Sequence, residues 1–290
     1  MKHKLLALDM DGTLLTNDKR ISAVNLDALK KAREYGIEIV IATGRSYSTL
    51  KPYLDVLSFD CFLITNNGSI VRNKDHSVKS SYELKPETSV KIVEIFKRYK
   101  VYFHGADQDN VYIDSLISRF IETKRFLSQE NQSPLRLYPR VVHRTFFNQQ
   151  LKRLSLDEIR MGKVRMNSFF ALSNNQRTLE EINDELSDID EISITSSSNN
   201  NIEALHRHAS KGRALLQVGE TLGISPDEMV AVGDHLNDIS MFDVADVGIA
   251  VGNADPIVIN VSDYQTRTNE EDGIAYVVEQ MIKGTWTQRA

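Results

Sequence analysis

Apolar and polar residues come in blocks along the first part of this 290-residue chain. KLLAL (4–8), IEIVIA (37–42) and CFLIT (61–65) are nearly unbroken apolar runs of strand length. Between them, over 22–35 and 46–57, the apolar residues recur at the three- and four-residue spacing of a helix. Strands that are apolar throughout are buried on both faces, so the alternation predicts a parallel sheet covered by helices. Gly36 stands where the first helix should end in a left-handed cap, and NNGS (66–69) reads as a turn.

From about residue 82 the regularity is lost. Pro86 opens an expected helix to about residue 99, and VYFHG and NVYID flank DQDN as a pair of short strands. A polar, basic middle follows, then a strand over 164–172, a helix over 175–186 and the run EISITSSS (191–198). The first pattern then resumes with a helix over 211–222, MVAVG (229–233), a helix over 237–244, VGIAV (247–251) and a helix over 272–282. The expected fold is α/β, a Rossmann-like parallel sheet core with an inserted α+β domain. The core is discontinuous, 1–81 and 191–290, around an insert of 82–190.

Composition adds exclusions. The chain is 41% hydrophobic and 26% charged, and no apolar run reaches the roughly 18 residues that a membrane span needs. The apolar run before Asp9 is too short for the core of a signal peptide, so a cytoplasmic protein is expected. Cys61 is the single cysteine, which excludes an internal disulfide and a thiolate zinc cluster, and its apolar setting marks it as a buried structural residue. A net charge of −5 argues against nucleic acid or anionic lipid as a partner. One stretch runs the other way: Arg119, Lys124, Arg125, Arg136, Arg140, Arg144, Lys152 and Arg153 stand against only Glu122 and Glu130. It is either a solvated basic face or a lure for an anionic substrate.

The candidate chemistry sits where the strands end. In open α/β sheets ligands bind outside the carboxyl ends of the strands. Asp9 and Asp11 follow KLLAL, Thr43, Gly44 and Arg45 follow IEIVIA, and Asp234, Asn237 and Asp238 follow MVAVG, while Lys211 opens the preceding helix. On a strand, a spacing of two points Asp9 and Asp11 the same way. A helix cap or an Asx turn would also account for DMDGT alone. Several carboxylates in one crevice repel one another unless a cation is bound, and a hard divalent ion, most simply Mg²⁺, prefers such oxygen ligands. The Thr43 hydroxyl, the Gly44 N–H and the Lys211 charge are suited to holding a phosphoryl group. Asp9 would then attack phosphorus to form an aspartyl-phosphate. Asp11 would act as acid and then base, with a pKa raised by its carboxylate neighbours. Arg45 is expected as a structural partner of a carboxylate.

DMDGTLL, ATGR, SKGRAL and GDHLND, in this order, resemble the four motifs of the haloacid dehalogenase superfamily of phosphatases. The long insertion resembles the large cap of the Cof-type subgroup, and NNGS, VGIAVGNAD and NEEDGIAYVV are similar to that subgroup's pattern. The resemblance implies a Mg²⁺-dependent phosphatase of small phosphorylated metabolites, with Asp9 as nucleophile and Asp11 as acid and base. It also implies Asp9, Asp11 and Asp234 around the metal, and Met10, Thr43, Gly44, Lys211 and Asn237 on the phosphate. Asp238 is then a support for Lys211 or the metal shell. A capped monomer suffices for this chemistry. A second reading is a phosphomutase-type phosphotransferase acting on sugar phosphates, as the resemblance to related capped enzymes implies, and a non-catalytic sensor of phosphorylated ligands is a third that the retained Asp9 and Asp11 disfavour. HRHAS before the lysine departs from the usual small turn, so His206, Arg207 and His208 either face substrate or form a domain junction. His104 and His143 are expected to be packing or surface residues.

Overall fold

The structure, a computed structural model, describes residues 2–128 and 151–286. It divides into two compact units, Met1–Tyr82 with His208–Ala290, and Glu83–Arg207. Numbered along the chain, the strands are β1 (Leu5–Leu8), β2 (Glu38–Ala42), β3 (Phe62–Thr65), β4 (Ile70–Arg72), β5 (Val78–Ser81), β6 (Tyr102–Ala106) and β7 (Val111–Ile113). They continue with β8 (Leu151–Arg153), β9 (Ser168–Leu172), β10 (Ile192–Thr195), β11 (Asn201–His206), β12 (Met229–Gly233), β13 (Val247–Ala250) and β14 (Tyr264–Gln265).

The first unit is built on one sheet in the order β14-β13-β12-β1-β2-β3-β4-β5, parallel from β14 to β3 and antiparallel from there to β5. β1 lies inside it, and its four residues are wholly buried, as an unbroken apolar strand requires. Helix Ala23–Glu34 packs on helix Gly273–Lys283, and helix Lys211–Leu222 lies against the short helix Ile239–Phe242 and over β2, β3 and β4. Register decides where the chemistry emerges. Leu8 pairs with Val232 and with Ile41, and Ala42 pairs with Ile64, so the chain leaves β1, β12, β2 and β3 at one level of one sheet edge. Asp9, Asp234, Thr43 and Asn66 are among the first residues beyond that level.

The second unit carries a sheet in the order β10-β11-β9-β6-β7-β8, antiparallel except for the parallel pair β7 and β8. Helices Pro86–Arg98 and Gln176–Ser187 supply Ile92, Phe96, Ile182 and Leu186 to its core, against Phe103, Phe169 and Ala171 of the sheet. Among the described residues, no helix is long and apolar enough to cross a membrane.

Several sequence expectations shift. The return to the first unit falls at His208 and not at residue 191, because β10 and β11 pair antiparallel with each other and β11 with β9, which places them in the second unit's sheet. β4 and β5 extend the first sheet beyond the expected strands, and helix Leu116–Ser128 occupies part of the basic middle. The helix expected over 237–244 is a 3₁₀ turn, Leu236–Asp238, followed by Ile239–Phe242. Arg136, Arg140, Arg144 and His143 lie outside the described residues.

Cys61 is buried just before β3, and burial pushes its thiol up to about 12 despite the opposing charge of Arg33. The thiolate is the reactive form, so at pH 8 the thiol stays almost wholly protonated and unreactive. Iodoacetamide at pH 8 should leave the folded protein unmodified and alkylate Cys61 fully in guanidinium, as read by mass spectrometry.

Candidate functional site

The site is organised around Lys211. Ser210 caps its helix by accepting the Arg213 N–H (3.2 Å), which makes Lys211 the first helical residue. The next residue is a glycine because the helix meets backbone there. A Cβ on Gly212 would fall 1.7 Å from the Ser240 carbonyl oxygen, and the Gly212 N–H donates to Ser240 Oγ (3.1 Å). This close approach leaves the Lys211 side chain with no exposure. Its Nζ donates to Asp9 Oδ1 and to Asp238 Oδ1, each at 2.6 Å. Burial disfavours the charged form of this lysine, but the Asp238 and Asp9 charges outweigh it and hold the group more basic than usual.

Asp238 is committed elsewhere as well. Its second oxygen accepts the backbone N–H groups of Asp234 (2.9 Å) and His235 (3.1 Å), which closes the turn after β12 around a buried carboxylate. Asp9 remains tied to the sheet through its N–H to the Val232 carbonyl (3.0 Å). Burial raises its pKa well above the ordinary value, Lys211 opposes this, and the Asp238 and Asp234 charges add to it. Asp234 accepts from the Thr13 hydroxyl (3.0 Å) and is pushed up to about 7, by burial first and then by Asp238. It also explains Gly12, which has φ +82° and where a Cβ would stand 2.3 Å from Asp234 Oδ2.

Asp9, Asp234 and Asp238 each offer an oxygen within 4.8 Å of the others. When ionised, these three carboxylates face one ammonium with a surplus of two negative charges, the repulsion that contributes to the raised Asp9 and Asp234 pKa values and that a divalent cation would balance. The donors are all hard oxygens, the chemistry Mg²⁺ selects. The residues present therefore fit the expected ion.

Asp11 is placed differently from its expectation. β1 ends at Leu8, so strand alternation no longer governs Asp11, and its carboxylate is not among the three that gather. Arg45 clamps it through Nε (2.5 Å) and a terminal nitrogen (2.7 Å), and Lys19 Nζ adds a third bond (2.8 Å). Burial works to raise the Asp11 pKa, but the Arg45 hydrogen bonds and charge, followed by Lys19, hold it far below the usual carboxylate range. The expected upward shift is thus reversed here, because its neighbours in contact are cations. Arg45, expected as a carboxylate's partner, is that partner, and its guanidinium also lies over the Tyr53 ring (4.9 Å).

The remaining expected residues fall close by. Thr43 is buried, and its Oγ1 accepts the Arg45 N–H (3.1 Å). Gly44 follows it, and Asn237 donates from Nδ2 to Asn67 Oδ1 (3.0 Å). Met10 packs its side chain into the core, so only its backbone is available to a ligand. His206 and Arg207 belong to the second unit's last strand and its exit, and His208 binds Arg213 through Nδ1 (2.8 Å). His104 stacks on Phe170 (4.9 Å), and burial, with the Arg119 charge second, lowers it to about 3 and keeps it neutral. Sequence reasoning missed Lys19, Thr13 and Asn67. Thr13 stands inside the quoted DMDGT and Asn67 inside NNGS, whereas Lys19 reaches Asp11 only through the loop bridges Asp11 to Leu15 and Leu15 to Ile21, which leave no periodic trace.

A family model described as haloacid dehalogenase-like hydrolase matches residues 6–278. The 5-amino-6-(5-phospho-D-ribitylamino)uracil phosphatase YwtE of Bacillus subtilis is 30% identical over 98% of this chain and 99% of its own length. The pyridoxal phosphate phosphatase YbhA of Escherichia coli is 28% identical over 96% of this chain and 98% of its own. A solved haloacid dehalogenase-like hydrolase from B. subtilis superposes with a TM-score of 0.83 at 26% identity, covering 96% of this chain and 99% of that one.

Removing one partner of a buried ion pair leaves an uncompensated charge. Asp238→Ala would do so to Lys211 and would also free two backbone N–H groups, so chemical denaturation should show a loss of about 3–5 kcal/mol. Unchanged stability would contradict the arrangement.

Proposed function

This chain belongs to the haloacid dehalogenase-like hydrolases and is a phosphatase of that family, and from that premise we propose a Mg²⁺-dependent hydrolase of small phosphorylated metabolites that works through an aspartyl-phosphate. The observation that carries the reading is the wholly buried Lys211 ammonium held at 2.6 Å from Asp9 at the sheet edge. A lysine in that place fixes the orientation of one Asp9 oxygen and leaves the other for attack. It also supplies positive charge where a transferring phosphoryl group would carry negative charge.

In the first step a bond forms between the Asp9 carboxylate and phosphorus as the ester P–O bond breaks, and Asp11 gives a proton to the departing oxygen. In the second, Asp11 takes a proton from water as that water attacks phosphorus, releasing phosphate and restoring Asp9. Thr43, Gly44 and Asn237 are the candidate hydrogen-bond donors to the phosphoryl oxygens. The clamp on Asp11 gives this scheme a condition. An arriving phosphoryl anion adds negative charge beside Asp11 and competes for Arg45 and Lys19, and both effects raise the Asp11 pKa toward the range an acid needs. Asp9 and Asp234, which gather with Asp238, would hold Mg²⁺, with the Asp11 carboxylate expected as a ligand lying outside that cluster, and the ion would supply charge neutralisation to the phosphoryl oxygens.

The two curated relatives are named for a phosphorylated ribitylaminouracil and for pyridoxal phosphate, both small phosphomonoesters. Sugar phosphates, nucleotides and cofactor phosphates therefore form the test panel. Phosphate release should require Mg²⁺, stop with chelator and fall at least about a thousandfold in Asp9→Asn, the scale expected when a nucleophile is lost. A folded Asp9→Asn protein with full activity would overturn the mechanism.

A further inference from the structure

At the end of β3 the backbone turns through three successive left-handed residues, Asn66 (φ 48°), Asn67 (φ 53°) and Gly68 (φ 91°). Asparagine tolerates this region better than most residues, but a chain keeps such a run only where its surroundings hold it. Two adjacent N–H groups in the turn are spent on one loop: Asn66 donates to the Arg45 carbonyl and Asn67 to the Thr43 carbonyl, both at 3.0 Å. The C=O and N–H of a trans peptide point in opposite directions, and this chain has no cis bond among its described residues. Holding the Thr43 carbonyl therefore turns the Gly44 N–H away from the Asn66–Asn67 turn.

The Asn67 side chain does a second job. Its Oδ1 accepts from Asn237 Nδ2 at 3.0 Å. The same carboxamide lies against Gly44, where a Cβ would stand 3.1 Å from Oδ1 and 3.2 Å from Nδ2. The turn also presses on the cap of the Lys211 helix, since a Cβ on Gly68 would fall 2.1 Å from the Ser210 carbonyl oxygen. One buried turn thus touches the loops that carry Thr43 and Gly44, Asn237, and Lys211.

We propose that Asn67 is a positioning residue for the phosphoryl site, acting by fixing the carboxamide of Asn237. The inference rests on the reading of Asn237 as a phosphate donor. A phosphoryl oxygen is only an acceptor, so Asn237 is useful to it solely through Nδ2. Nδ2 carries two hydrogens; one is held by Asn67, and the second stays available on a group that no longer rotates. Flipping the Asn237 amide alone would set two carbonyl oxygens against each other, so Asn67 disfavours that orientation.

The test uses Asn67→Gly, which accepts the left-handed backbone and keeps the N–H to Thr43 but removes the carboxamide. Asn237→Ala and the double variant complete a cycle, with p-nitrophenyl phosphate turnover, competitive inhibition by inorganic phosphate and thermal unfolding as readouts. Asn67→Gly should lower kcat/KM and weaken phosphate inhibition about tenfold, the scale of one lost hydrogen bond in a transition state. The double variant should be no worse than Asn237→Ala alone, because both changes remove one interaction. Unchanged kcat/KM and phosphate inhibition in Asn67→Gly, or losses that multiply in the double variant, would overturn the inference while leaving the phosphatase reading intact. A wild-type protein that neither turns over the ester nor binds phosphate would overturn that reading and this inference with it.

Discussion

A lysine that is wholly buried between two carboxylates constrains everything near it. The Lys211 ammonium is too costly to place in a protein interior without partners, so the chain must bring Asp9 and Asp238 to within hydrogen-bond reach of it. That demand accounts for local choices that otherwise look unrelated. Gly212 lets the helix touch the Ser240 backbone, Ser210 fixes the helix start one residue before the lysine, and Asp238 closes the turn after β12 with its second oxygen. The sheet register then brings Asp9 to the same level as the end of β12.

Two aspartates only two residues apart end in opposite electrostatic settings. Asp9 sits with Asp234 and Asp238 and is pushed up by burial and by their charge, whereas Asp11 is clamped by Arg45 and Lys19 and held down. The difference comes from the end of β1. One residue beyond the strand, Asp9 is still hydrogen-bonded to β12, while Asp11 belongs to a loop closed by Leu15 and opened toward Lys19. The proposed two-step transfer needs the reverse order, an ionised nucleophile and a protonated acid, so bound cation and substrate charge would have to lower Asp9 and raise Asp11.

Much of this was legible in the residues because strand ends obey register. The apolar runs at 4–8, 37–42 and 229–233 marked the strands, and the polar residues just beyond them were the ones the sheet edge gathers. What escaped was of two kinds. The boundary drawn at 191 left β10 on the core's side and β11 went unread as a strand, since short polar strands such as Ile192–Thr195 carry no signal of which partner they will pair with. The clamp on Asp11 and the hold of Asn67 on Asn237 join residues 34 and 170 positions apart, contacts that no local period encodes. The strand ends told which side chains meet, but not which charges they meet.

The claim that Asp9 becomes covalently phosphorylated is open to direct chemistry. Turnover with a good substrate, quenched in acid and reduced with borohydride, converts an aspartyl-phosphate to homoserine. Peptide mapping should find homoserine at position 9 only when substrate was present. Active enzyme that leaves residue 9 as unmodified aspartate, or carries the change at another residue, would contradict the account.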